Sequence, residues 1–358
     1  MTEGTFIIAE AGVNHNGSFD TALVLVDVAA QAGADAVKFQ TFRSDQLATL
    51  TAAKAQYQVA NTGREGSQVA MLRSLELSDE AHKRLAAHCR ERGIRYMSTA
   101  FDAKSLRALA ALDPPAIKIP SGDITCAPLL LQAARLGRPL IVSTGMSTLA
   151  DIEGALGVIA FGQTVEGEPT GRRDFEKAYT TAAGRNALKE KVTLLHCVTQ
   201  YPASPETVNL RAMETMATAF GLPVGYSDHT LGTEVAIAAV ARGAVVIEKH
   251  FTLDRMLPGP DHAASLEPGE LAHLVTAIRN VERALGSSVK YPVPQEAANR
   301  DIARRSLVAA CSIRRGELIV ADMLLAKRPG QGLSPMDLWS VVGRRAGRDY
   351  EADDLIEL

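Results

Sequence analysis

Two lysines and two histidines carry the first chemical signal in the sequence. Lys38 and Lys118 sit inside short apolar runs, Ala36-Val37-Lys38-Phe39 and Ala116-Ile117-Lys118-Ile119. An ammonium group taken out of water is costly unless an anion meets it, so buried lysines are rarely idle. Hydroxyl residues close comparable runs: Ser121, Ser143, Thr144 and Ser227. Ammonium and hydroxyl donors together suit a multiply charged anion such as phosphate or carboxylate. The competing account pairs each lysine with an internal carboxylate such as Asp123 or Glu248. His229 and His250 end two further runs, with Glu10 and Asp261 also available. Imidazoles on adjacent strands, about 4.8 Å apart, can share one divalent cation. A lone strand-end histidine is more often only hydrogen-bonded.

Eight apolar runs bring these residues into place, beginning at Phe6, Ala36, Ile94, Ala116, Leu140, Val192, Pro223 and Val245. Several are rich in Val and Ile and continuous rather than alternating, as strands buried on both faces are. Helical patterns over 20–32, 78–92 and 235–242 lie between them. Ser78-Asp79-Glu80 and Ser147-Thr148 are helix-starting sequences, and Gly33, Gly93, Gly137 and Gly243 are helix-ending ones. Eight strand–helix repeats predict an α/β fold, a (β/α)8 TIM barrel. The rival, a doubly wound sheet, lacks its glycine signature: the first turn reads Gly12-Val13-Asn14-His15-Asn16-Gly17 rather than GxGxxG. In a barrel the C-terminal strand ends form the active site. Every run here ends in polar residues there, among them Glu10, Gln40, Thr99, Tyr201, Asp228 and Glu248.

The barrel is expected over residues 1–286, a linker over 287–299 and a small β-rich module over 300–358. Tyr291-Pro292-Val293-Pro294 excludes a regular helix in the linker, since each proline disfavours helix in the residue before it. The polar segment 162–191 is expected to extend the fifth strand–helix unit, partly helical over 174–182. The module is expected to be too small for a substantial core and so to pack on another surface. Of the 358 residues, 46% are hydrophobic and 22% charged, with net charge −3. That balance argues against a nucleic-acid partner held by bulk charge. The amino terminus lacks a basic signal region, and no apolar run matches a bilayer's thickness, so no membrane partner and a cytoplasmic location are expected. Four cysteines without CxxC spacing read as reduced thiols.

Taken together, the motifs resemble the bacterial sialic acid synthase family. They are Ile8-Ala9-Glu10-Ala11-Gly12-Val13-Asn14-His15-Asn16-Gly17, Ala36-Val37-Lys38-Phe39-Gln40-Thr41, Ile117-Lys118-Ile119-Pro120-Ser121-Gly122-Asp123, Val142-Ser143-Thr144-Gly145-Met146, Ser227-Asp228-His229-Thr230-Leu231, Lys249-His250-Phe251-Thr252, Pro258-Gly259-Pro260-Asp261-His262 and Lys327-Arg328-Pro329-Gly330. The small module resembles the family's antifreeze-like (SAF) domain. The resemblance implies an enzyme that condenses phosphoenolpyruvate with an N-acetylated, mannose-type sugar. It implies that His229 and His250 hold Mn²⁺ or a similar divalent ion, Mg²⁺ or Co²⁺, which polarises the open-chain aldehyde and orients a water. Glu10 is then the acid/base beside it. Lys38, Lys118, Ser121, Ser143 and Ser227 bind phosphoenolpyruvate, and Gln40, Tyr201 and Asp261 contact the sugar. A domain-swapped homodimer is implied, in which Arg328 of one subunit reaches the sugar in the partner's barrel.

The run His196-Cys197-Val198-Thr199-Gln200-Tyr201-Pro202-Ala203 departs from some members of the family and looks more like the legionaminate-type branch. There the acceptor is a 2,4-diacetamido-2,4,6-trideoxymannose-type sugar and the product N,N'-diacetyllegionaminate. The alternative is an N-acetylneuraminate synthase using N-acetylmannosamine. Gln200 is placed to bond the extra acetamido group or to face a backbone carbonyl. Three other accounts compete: a Schiff-base aldolase using Lys118 or Lys249, a phosphoenolpyruvate-condensing barrel making a shorter acid, and a non-enzymatic binder. The last is disfavoured because residues 306–358 contain no threonine for a flat antifreeze surface.

Overall fold

Continuous apolar runs bounded by glycine and capping residues form strands only if both faces find cover, and a closed barrel provides it. A computed structural model of the chain describes residues 4–55, 58, 59, 61 and 67–357. Its eight parallel strands are β1 (Phe6–Gly12), β2 (Ala36–Thr41), β3 (Arg95–Ala100), β4 (Ile117–Ile119), β5 (Leu140–Ser143), β6 (Val192–Cys197), β7 (Val224–Asp228) and β8 (Val246–His250). They close in chain order, with β1 pairing to β8. All eight predicted runs are strands, and the barrel is confirmed. Helices return the chain between strands. Ser78 caps helix Asp79–Arg92 by accepting the Ala81 amide, and Gly93 ends it at φ +72°.

Strand alternation then decides what fills the barrel. Phe6, Ile8, Ala36, Met97, Ala116, Ile141, Leu195 and Val246 point inward as an apolar floor. One level up, seven strands present a polar side chain inward, Glu10, Lys38, Thr99, Lys118, Ser143, Ser227 and Glu248, and β6 presents the thiol of Cys197. Side chains two apart share a face, so a polar layer lies on the floor. β7 contributes Gly225 to the lower level because Leu195 and Val246 occupy its space: an added Cβ would lie 2.4 Å from the Val246 carbonyl oxygen.

The chain divides into two compact units, Met1–Gly286 and Ser287–Leu358. In the second, β9 (Ser306–Ala309) pairs antiparallel with β10 (Leu324–Lys327). This unit is sparse in strand, and contrary to expectation it has a core of its own, built from Leu307, Ala309, Ile313, Ile319, Leu324, Val341, Ala346, Tyr350 and Ile356. Short irregular segments reach that core through isolated bridges such as Ile313 with Tyr350, which the pattern of runs does not reveal. The expected linker is also shorter: after Pro294 the chain enters helix Ala297–Ala303. The segment after β5 is more helical than expected. Helix Leu149–Thr164 runs through Gly162, and helices Arg172–Thr180 and Ala182–Lys191 follow. Phe175 packs edge-on against Phe161 at 5.6 Å, giving the polar segment an apolar anchor. No helix among the described residues is long and apolar enough to cross a membrane.

Gly225→Ala is expected to lower stability by about 1–3 kcal/mol through overpacking. Gly154→Ala, in helix Leu149–Thr164 with no described atom within 4 Å of the new Cβ, is expected to raise it by about 0.5–1 kcal/mol. Urea denaturation of the two variants checks both signs.

Candidate active site

The polar layer is organised by four charges. Lys38 Nζ lies 2.8 Å from Glu10 Oε2 and 3.6 Å from Glu248 Oε2. Lys118 Nζ lies 3.5 Å from Glu248 Oε1. The pairing account therefore holds, with Glu248 as the shared partner. Asp123 is not that partner: its Oδ2 is buried without a hydrogen-bond partner among the described residues. Lys38 also donates to Thr99 Oγ1 at 3.0 Å, Lys118 donates to Ser143 Oγ at 2.8 Å, and Ser227 donates to Glu248 at 3.0 Å.

Burial and charge act on these groups in opposite senses. Burial would raise Glu248, but Lys118 and Lys38 outweigh it and hold its pKa at about 2. Glu10 is pushed up to about 7 by burial, which Lys38 only partly opposes. Burial would lower Lys38, yet Glu10 and Glu248 raise it, whereas burial lowers Lys118. The layer therefore sets two lysines against one firm carboxylate, Glu248, and one carboxyl, Glu10, that burial holds toward its protonated form. It keeps a positive excess toward an entering anion even though its lysines are paired.

The histidines stand above this layer. His229 Nδ1 donates to the Val198 carbonyl at 2.6 Å, leaving Nε2 as a lone-pair donor. His250 Nδ1 is buried without a hydrogen-bond partner among the described residues, 4.0 Å from Asp261 Oδ2. Burial lowers both pKa values, and the neighbouring His229 pushes His250 down further. The rings are 5.7 Å apart, and the Tyr201 ring lies 4.1 Å from that of His229. A neutral imidazole whose other nitrogen is fixed by a carbonyl is the usual state of a metal ligand. His229 meets that description, and His250 beside it has a buried nitrogen without a hydrogen-bond partner among the described residues, so the two could hold a divalent ion together. Among the described residues no group of three His, Cys, Asp or Glu side chains gathers into a ready metal site. Substrate or water would therefore have to supply the remaining positions. Burial also raises Asp261 to about 6.

One cavity of about 310 Å³ is lined by Glu10, Lys38, Gln40, Lys118, Ser121 and Ser143, and by Tyr201, Ser227, His229, His250 and Asp261. These residues thus meet at the C-terminal mouth. A groove of about 490 Å³ beside helix Arg172–Thr180 is larger but gathers no comparable set of buried charges. Ser121 Oγ accepts the Gly145 amide at 3.0 Å and sits 3.1 Å from Cys197 Sγ. Arg328 is exposed on the second unit, where Ser306 donates to the next residue's carbonyl, Pro329 O, at 2.6 Å.

Several expectations need correction. The Thr144 hydroxyl donates to the Leu195 carbonyl at 2.9 Å and serves the strand end. Gln200 is exposed and outside the cavity lining, so it is not placed to read an acetamido group. Lys249 points out of the barrel into a 2.7 Å ion pair with Asp228, away from any substrate. Glu248 was expected only as one of two possible lysine partners and Thr99 had no assigned role, yet both hold the lysines. For Glu248 a further signal was the two-residue step, which puts it on one strand face with His250.

A closed parallel barrel with ionisable groups gathered at the C-terminal ends of its strands is the arrangement of a (β/α)8-barrel enzyme. Comparison with known proteins refines the class. Residues 25–290 match the NeuB family and residues 304–357 the SAF domain, and the chain belongs to the NeuB family. It is 44% identical to the N,N'-diacetyllegionaminic acid synthase of Campylobacter jejuni, over 98% of both chains. It is 45% identical to the protein of the same name from Legionella pneumophila, covering 97% of this chain and 92% of that one. Among solved structures, the N-acetylneuraminic acid synthetase of Leptospira borgpetersenii in complex with citrate superposes with TM-score 0.66 at 32% identity, over 83% of this chain and 90% of that one.

Glu248→Gln is expected to destabilise the protein by about 3 kcal/mol or more, because two buried ammonium groups lose their shared partner. Inorganic phosphate is expected to restore part of the loss. Chemical denaturation with and without phosphate measures both, and wild-type stability in the variant would contradict the assignment.

Proposed function

We propose that the protein joins phosphoenolpyruvate to 2,4-diacetamido-2,4,6-trideoxymannose, giving N,N'-diacetyllegionaminate and phosphate. The observation that carries this reading is the adjacency, in one cavity, of a two-lysine layer and a pair of neutral histidines. The first suits the trianion and the second suits the metal-assisted aldehyde. The two legionaminic acid synthases, more similar than the neuraminic acid synthetase, favour the diacetamido acceptor.

Lys38 and Lys118, with Ser121, Ser143 and Ser227, hold the phosphate and carboxylate of phosphoenolpyruvate over the apolar floor. Gln40, Tyr201 and Asp261 orient the open-chain sugar so that its aldehyde carbon faces C3 of the enol. A bound divalent ion, Mn²⁺ in our reading with Mg²⁺ or Co²⁺ able to replace it, supplies Lewis-acid polarisation at His229 and His250. C3 attacks the aldehyde, forming the new carbon–carbon bond, while protonated Glu10 is placed to give its proton to the developing alkoxide. Water adds to the cationic C2 and gives up one proton to Glu10, now a carboxylate, while the remaining hydroxyl proton leaves with the phosphate. The tetrahedral centre then expels phosphate by C–O cleavage, and the lysines stabilise the departing charge.

We further infer a domain-swapped homodimer in which Arg328 reaches the acceptor in the partner's barrel. Support comes from exposed Met146, Leu231 and Met256 on the loops after β5, β7 and β8, and from exposed Met336 and Trp339 on the second unit. Four free thiols favour a cytoplasmic setting.

Mass spectrometry of products from phosphoenolpyruvate with either sugar tests the reading. The diacetamido sugar should be consumed in preference, with phosphate released and all turnover abolished by a chelator. Preferential use of N-acetylmannosamine would assign the neuraminate reaction instead. Turnover in EDTA with a borohydride-trappable adduct would replace the mechanism by a Schiff base.

A further inference from the structure

The mouth of the cavity is two-sided. Tyr201, His229 and His250 stand on the β6–β8 side. On the β1–β3 side the lining is an apolar wall, with Val13, Leu47, Met71, Leu72, Leu75 and Phe101. Three of these come from helix Gln68–Leu75, where Met71, Leu72 and Leu75 fall on one face at spacings of one, three and four. The wall is held firmly. Ser67 caps its helix by accepting the Ala70 amide, and the Ser74 carbonyl packs against Gly17, where a Cβ would come within 2.4 Å. Glu76, just past the helix, accepts the Ser44 amide at 2.9 Å. Phe42 packs edge-on against Phe101 at 6.2 Å.

Apolar surface at the mouth of a charged cavity serves no purpose in holding a trianion. Val13, Leu72 and Leu75 are buried with Phe42 in a small cluster of their own, and Met71 and Phe101 pack against it half-buried, leaving an apolar face toward the cavity that a ligand can cover. In a closed barrel of eight strands in chain order, β3 lies opposite β7 and β2 opposite β6. A six-carbon open chain with its aldehyde at His229 and His250 can reach this wall with carbons 4 to 6 by crossing the mouth of the cavity. Those carbons distinguish the two candidate acceptors. The diacetamido sugar has a methyl at C6 and an acetamido group at C4, where N-acetylmannosamine has hydroxyls. Gln68, at the start of the wall helix, also lines the cavity and offers an amide of the kind that pairs with an acetamido group.

We propose that this wall selects the acceptor: Met71, Leu72 and Phe101 receive the C6 methyl, and Gln68 pairs with the C4 acetamido group. The proposal rests on the function given above and adds the residues that choose the sugar. An apolar pocket discriminates a one-group difference by roughly 10- to 200-fold, so a preference of that order is expected from the wall.

The test compares kcat/KM for three sugars: the diacetamido acceptor, 2-acetamido-2,6-dideoxymannose and N-acetylmannosamine. In Met71→Gln, kcat/KM for both 6-deoxy sugars should fall about tenfold or more relative to N-acetylmannosamine, with the KM for phosphoenolpyruvate unchanged. Met71→Leu should keep the wild-type preference, which separates loss of the wall's apolar character from a folding defect. Gln68→Ala should weaken only the diacetamido sugar. Equal losses on all three sugars, or an unaltered preference in both Met71→Gln and Gln68→Ala, would overturn the proposal. A wild-type enzyme that accepts none of the three would instead overturn the function itself, and the proposal with it.

Discussion

The structure depends on one buried arrangement, two ammonium groups sharing a carboxylate on an apolar floor. Without Glu248, Lys38 and Lys118 would repel each other in a site closed to water. Without the lysines, Glu248 and Glu10 would both be driven toward protonation. The compromise leaves Glu248 firmly ionised and Glu10 near its midpoint at neutral pH. That imbalance keeps the layer attractive to an anion while holding one transferable proton within it.

The rest of the barrel follows from the two-residue period of its strands. Moving up from floor to mouth, inward side chains change from aliphatic to charged to imidazole, amide and aromatic. Each level suits one part of the proposed reaction: a dry base, a phosphate and carboxylate cradle, then a polarising and orienting ring for the aldehyde. The mouth is completed from outside the strands, by Asp261 after β8 and by helix Gln68–Leu75 after β2. The proposed anion cradle and histidine pair thus sit on the strands or just past them, and the residues proposed to choose the acceptor sit on the connections.

The barrel was legible because its strands are buried on both faces and read as unbroken apolar runs. Site residues such as Lys38, Lys118, His229 and His250 stood out because their types conflict with their apolar surroundings. Other features were hidden for physical reasons. Glu248 reads in the sequence as one of two carboxylates, with Asp123, able to meet a lysine, and only the closed barrel brings it to both lysines at once. Met71 and Leu72 are apolar residues in a helix, indistinguishable by periodicity from core, and only the fold turns them toward the cavity. The second unit's core escaped notice because it is assembled from isolated bridges between irregular segments, which leave no repeating pattern.

The central claim is that the paired lysines form the anion cradle although Glu248 already neutralises part of their charge. Calorimetric titration of phosphoenolpyruvate into Lys38→Met and Lys118→Met, with no sugar present, tests it most directly. Losing one charge-assisted contact should weaken binding about tenfold to a hundredfold in each variant. Wild-type affinity in either variant would show that its lysine is only a structural partner of Glu248, and the cradle would have to be sought elsewhere.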